Sequence, residues 1–74
     1  MKIMNAFMET VMAEKHLVDL PIKGENPSDY LEARQTRKRN SNFFLHGYVT
    51  GLVAANQINA ETKENMLMFI DTFF

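Results

Sequence analysis

The chain has 74 residues, 46% of them apolar, with eight Lys and Arg against nine Asp and Glu for a net charge of −1, two His and no Cys. That length gives one small domain over 1–74, able to withdraw only about 60% of its unfolded surface from water. The composition excludes a disulfide framework, a thiolate site, a structural zinc module and a disordered polar chain, so a hydrophobic core, completed where needed by another chain, has to hold the fold.

No stretch approaches the ~18 consecutive apolar residues of a membrane span. The opening segment MKIMNAFMETVMAEKH is interrupted by Asn5, Glu9, Thr10 and Glu14, which a secretory leader would not tolerate. A cytoplasmic location with no membrane contact is expected. Charge is unevenly distributed. Residues 1–33 carry three lysines against six acids, residues 34–39 carry four cations and no acid, and residues 40–74 carry one lysine against three acids.

The first predicted helix covers about 2–16. Ile3, Phe7 and Val11 recur every fourth residue, and Met4, Met8 and Met12 form the adjoining row, so one broad apolar face results. Core filling is the favoured reading of the Met row over a plastic docking surface. Residues 17–25 read as a linker. There Pro21 biases Leu20 toward extended geometry, Gly24 is free to turn, and the apolar Leu17, Val18, Leu20 and Ile22 keep the segment along the helices.

The second helix opens with Asn26 as N-cap, Pro27 at the first helical position and Asp29 near the positive dipole end. Its end has two readings. A helix continuing through residue 56 would be about 42 Å long and would protrude from a domain roughly 30 Å across. The alternative is a break at Asn40-Ser41-Asn42, whose side chains compete for backbone hydrogen bonds, with a new helix beginning at Phe43. The break is favoured.

Over 43–56, Phe44, Tyr48, Leu52 and Ala55 share one side, with Leu45, Val49 and Val53 around it. Gly47 and Gly51 align on one side and would admit another backbone closely, at a cost of up to ~1 kcal/mol each in helix propensity. The last helix begins at Asn59 as N-cap, with Glu61 and Glu64 near its positive end and Met66, Phe69, Ile70 and Phe73 along one face. The short connection through Gln57-Ile58 folds it back on its predecessor. The expected fold is all-α: three to four short helices, an antiparallel helical hairpin over about 43–74, and the amphipathic N-terminal helix packed on it. Its packing or interface residues are Phe7, Val11, Phe44, Gly47, Tyr48, Gly51, Leu52, Met66, Phe69, Ile70 and Phe73.

No catalytic constellation is recognisable. His46 has no acid nearby in sequence, His16 complements a helix end, and neither has an orienting partner for acid–base work, so no enzyme activity, metal, cofactor or small-molecule substrate is expected. The cluster Arg34, Arg37, Lys38 and Arg39 is the one polar constellation that suggests a partner. Arg34 and Lys38 are like-charged neighbours, and no local acid neutralises the group. It serves a helix end, an interface with acidic surface, or phosphate. Nucleic acid fits less well, because the isoelectric point is about 6.0 and a DNA-binding domain is expected to be strongly basic.

The segment FFLHGYVTGLVAANQINAETKENMLMFI, residues 43–70, resembles a helical hairpin common in short accessory proteins of phages and conjugative elements of Gram-positive bacteria. Gly47, Gly51, Ala54, Ala55, Ile58 and Glu61 carry the resemblance. What it implies is a small regulatory or inhibitory protein acting by contact. The expected function is therefore non-catalytic protein–protein binding, with another protein or with itself as a homo-oligomer. A nucleic-acid accessory role through residues 34–39 is the alternative.

Overall fold

The computed structural model describes residues 2–23 and 26–74, and these form three α-helices: α1 (Lys2–Asp19), α2 (Pro27–Ala54) and α3 (Ala60–Phe73). The all-helical expectation holds, without a fourth helix among the described residues. The turn expected at Gly24 lies outside them.

Phe7 and Val11 stand four apart on α1, and Val18 continues their stripe seven residues later; all three are buried. That extra buried residue is why α1 runs past the expected end at His16 to Asp19. Leu17 and Val18 are helical, not part of a linker. An exposed i, i+4 pair between Lys15 and Asp19 at 3.0 Å closes the last turn, and Pro21 follows, where the helix cannot continue.

At the start of α2 the Asn26 side chain accepts a hydrogen bond from the Ser28 amide at 3.0 Å. Pro27 occupies the first turn and Asp29 stands at the positive end. The favoured break at Asn40 does not occur, and α2 continues for 28 residues. Of the polar triplet, Ser41 is buried, and Asn42 finds a partner on another helix: its amide donates to Asp71 of α3 at 2.9 Å. Propensity differences of a few tenths of a kcal/mol per residue give way to such packing. α2 ends at Ala54, two residues before the expected end. Asn56 adopts φ 56°, a left-handed conformation Asn tolerates. The Asn56 amide then donates to the Val53 carbonyl and the Gln57 amide to the Leu52 carbonyl, at 3.0 and 2.9 Å. This paired closure satisfies carbonyls that the helix end would otherwise leave bare.

Asn59 caps α3 by accepting from the Thr62 amide at 2.8 Å. Met66 and Ile70 are the buried residues of that helix. The core is a cluster of Phe7, Val11, Leu45, Val49, Met66 and Ile70, with Ile3, Tyr48, Leu52, Ile58, Leu67, Phe69 and Phe74 packed against it. The Phe7 ring lies 6.4 Å from Tyr48 and 6.1 Å from Phe69, so α1 touches both other helices. Phe69 meets Phe73 edge-on at 5.0 Å.

Two expectations about the core are corrected. Leu45 and Val49, not Phe44, form the innermost row of α2, because they face α1 and α3 together; Phe44 is exposed. The Met4, Met8 and Met12 row is also exposed. It lies about 100° around α1 from the Phe7 row, and two neighbouring helices do not span a face that wide.

The molecule is elongated, 46 × 18 × 17 Å, with a radius of gyration of 14.1 Å, against about 11 Å for a compact chain of this length. The cause is the mismatch in helix length: α2 is 28 residues and α3 is 14. Asp71, near the end of α3, lies beside Asn42 and His46, so α3 runs along the C-terminal half of α2. The N-terminal half extends past it.

Candidate functional site

The helical turn splits the basic segment. Arg34 reaches across to Asp19 at 3.2 Å. Arg37 turns the same way, and its Nη1 donates to the Leu20 carbonyl at 2.7 Å and the Leu17 carbonyl at 3.3 Å. Arg34 through the Asp19 carboxylate and Arg37 through the carbonyls thus close the C-terminal end of α1, where the dipole is negative and the Leu17 carbonyl otherwise has only a long 3.4 Å bond from the Leu20 amide. The sequence offered a helix-end role for the cluster at the end of its own helix. The structure places it at the end of another. Lys15 hydrogen-bonds the Asp19 carboxylate, and with Arg34 it holds that carboxyl below its ordinary value of 3.8.

Lys38 and Arg39 face elsewhere and make no ion pair among the described residues. Arg39 is exposed and Lys38 half-buried. The four cations therefore do not form one free patch.

Beside Arg37 an open groove of about 480 Å³ lies between α1 and α2, lined by Glu14, Leu17, Val18, Leu20, Arg37, Asn40, Ser41 and Phe44. A shallower depression continues it along Glu9, Thr10 and Ala13. Acids on the α1 side and apolar walls at Leu17, Leu20 and Phe44 give it the character of a contact surface, without convergent polar groups of the kind that fix a small ligand.

Of the residues expected at packing or interface positions, Phe7, Val11, Met66 and Ile70 are buried, and Tyr48, Leu52 and Phe69 pack around them. Phe44 and Phe73 are exposed. Gly47 and Gly51 face open space: a Cβ built on either meets nothing within 4 Å. No helix of this chain comes close to them.

One cluster escaped sequence reading. The His46 Nε2 lies 2.9 Å from Asp71 Oδ1, the oxygen that also accepts from Asn42. These hydrogen bonds, that from His46 foremost, hold the Asp71 carboxyl below its ordinary value. His46 and Asp71 are 25 residues apart, and no local pattern announces such a pair. Its position across α2 and α3 makes it a clasp at the rim of the core, and Thr50, the hydroxyl one turn along, donates to the His46 carbonyl and not to the ring.

Comparison with protein-family models, with curated proteins and with solved structures finds no match. No helix among the described residues is long and apolar enough to cross a membrane.

Proposed function

We propose that this protein is a small regulatory protein of phage or mobile-element type that acts by protein–protein contact and not by catalysis. The observation that carries the reading is apolar surface left in solvent. Among the described residues, Phe43 and Met68 are each 69% exposed and Met12 is 59% exposed, with Leu17, Leu20 and Phe44 also outside. Exposed apolar side chains that lie together, as Leu17, Leu20 and Phe44 do around the groove, mark docking sites on small proteins. The glycine pair supports it as well, since Gly47 and Gly51 weaken α2 without serving any close approach among the described residues. In this reading the hairpin over 43–74 is the rigid platform on which α1 and the exposed aromatic residues are presented.

Affinity capture from a host extract, with and without nuclease, tests it. A partner captured despite nuclease by the wild-type chain, and lost with Phe43→Asp and Phe44→Asp together, is the expected result. No capture, or capture indifferent to those changes, overturns it. The second reading is nucleic-acid binding through Lys38 and Arg39, the two cations of the segment that carry no ion pair among the described residues. A gel shift at low salt that disappears when both are changed to Ala would favour it, and its absence would dismiss it.

A further inference from the structure

The N-terminal half of α2 is the least covered part of the fold. α1 ends near Arg37, to which Leu17 and Leu20 give their carbonyls, and α3 ends near Asn42. Between residues 28 and 37 one face of α2 therefore has no neighbouring helix among the described residues, and Lys38, half-buried, stands at its inner end. At 100° per residue, Leu31, Gln35 and Lys38 share that face, with Glu32 and Arg39 side by side along one edge of it. Leu31 is 58% exposed. Glu32, Gln35 and Arg39 are also exposed, and neither charged edge residue has an ion-pair partner among the described residues.

We propose that a second copy of this chain packs antiparallel along residues 28–39 of α2, about a two-fold axis near Gln35. This deepens the contact-protein reading above and rests on it. The order of charge along the helix carries the inference. On this face and its edge the acid Glu32 comes first, and the cations Lys38 and Arg39 follow. A parallel pairing would set like against like. An antiparallel pairing about Gln35 brings Glu32 of each copy to Arg39 of the other and lays the aliphatic stem of Lys38 over Leu31, while the Gln35 amides meet at the axis. Every contact then occurs twice, as a two-fold interface requires.

Surface area points the same way. The chain exposes 5455 Å², whereas a compact monomer of this mass exposes about 4,700 Å². The surplus, roughly 750 Å², is close to the ~800 Å² each partner contributes to a standard interface.

Light scattering and sedimentation of the purified chain over a wide concentration range test the proposal. The expected mass rises from 8.6 kDa toward twice that value with concentration. Glu32→Arg and Arg39→Glu should each weaken association about tenfold or more, since each turns two symmetric attractions into repulsions. The double variant should restore it. Because the chain has no cysteine, Gln35→Cys should form an intermolecular disulfide across the axis under mild oxidation. Thr36→Cys, one residue away on a different face, should not. Circular dichroism checks that each variant stays helical. A chain monomeric at every concentration overturns the proposal, as does a dimer indifferent to the single charge reversals or lost in the double variant. A monomeric chain that still captures a partner from extract would sink the dimer alone and leave the contact reading standing.

Discussion

Removal of the Arg37 guanidinium should loosen the end of α1 before it touches the core. Arg37→Met keeps the length and apolar character of the stem and deletes only the donors. Two carbonyls lose a partner, Leu20 at 2.7 Å and Leu17 at 3.3 Å. The shorter has the length of a charge-assisted bond, a class worth about 1.5–3 kcal/mol, and the cation also leaves the negative helix end, worth about 0.3–1 kcal/mol. Arg37 is only half-buried, so water replaces part of the loss. The net cost should be about 1–2 kcal/mol. In a domain of this size each kcal/mol shifts the midpoint by about 4–8 °C, so a fall of roughly 5–15 °C is expected. Urea unfolding measures the cost, and amide hydrogen exchange locates it. Protection should fall first in the last turn of α1. Arg37→Lys, a single point charge on a shorter reach, should sit between Met and wild type. The control is Lys23→Met, which removes an exposed cation from the segment after α1. If Arg37→Met and Lys23→Met prove equally mild, or if exchange rises evenly along all three helices, the capping argument is wrong.

Leu45→Ala, at a fully buried position, should cost about 2–5 kcal/mol, a large share of the roughly 4–11 kcal/mol expected for the whole domain; chemical denaturation should find it close to unfolded at physiological temperature. Gly47→Ala and Gly51→Ala should each raise stability by about 0.5–1 kcal/mol, because the added methyl meets nothing in the fold, and a loss in thermal melting would reveal a contact the monomer does not explain. Asp71 should contribute to the acid limb of the stability curve. Its folded-state value lies below the ordinary 3.8, so the unfolded chain takes up the proton first. The stabilisation is therefore complete above 3.8 and disappears as pH falls through the depressed folded value. Asp71→Asn should flatten that limb in urea titrations at several pH values.

Local chemistry made both helix starts legible. Asn26 before Pro27, and Asn59 before an acidic first turn, cap as their side chains predict, because a cap bonds within three residues of itself. Periodicity found Phe7, Val11, Met66 and Ile70 for the same reason: one stripe on one helix needs only one face of packing. Breadth was misleading on α1. The Met4, Met8 and Met12 row reads as core by spacing, yet the three helices of the described residues do not cover it. The break expected at Asn40-Ser41-Asn42 does not occur: Asn42 bonds Asp71, 29 residues later, and local propensity cannot register so distant a bond. The same holds for His46, which has no acid close to it in sequence. Its partner is 25 residues away, close only once α3 lies along α2.

The basic segment shows how a run of like residues in sequence becomes two structures with separate tasks. Successive helical residues are turned by about 100°, so Arg34 and Arg37 fall on the side of α1 while Arg39 falls on the side that no helix covers. The first pair binds Asp19 and the carbonyls of Leu17 and Leu20, which fixes where α1 ends against α2. Leu31 and Gln35 stay uncovered for another reason: they continue the side of α2 that holds Asn42 and His46 against α3, and α3, 14 residues against 28, does not reach them. Exposed ion pairs such as Arg34–Asp19 contribute little on their own, so Arg34→Met should disturb stability less than Arg37→Met. The effect of Arg37→Met on association should therefore exceed its direct contact: once the end of α1 frays, Leu17 and Leu20 are free to spread over the face the second copy needs. Sedimentation of Arg37→Met should show weakened dimerisation although Arg37 itself lies outside the interface, and undiminished dimerisation would separate the two tasks completely.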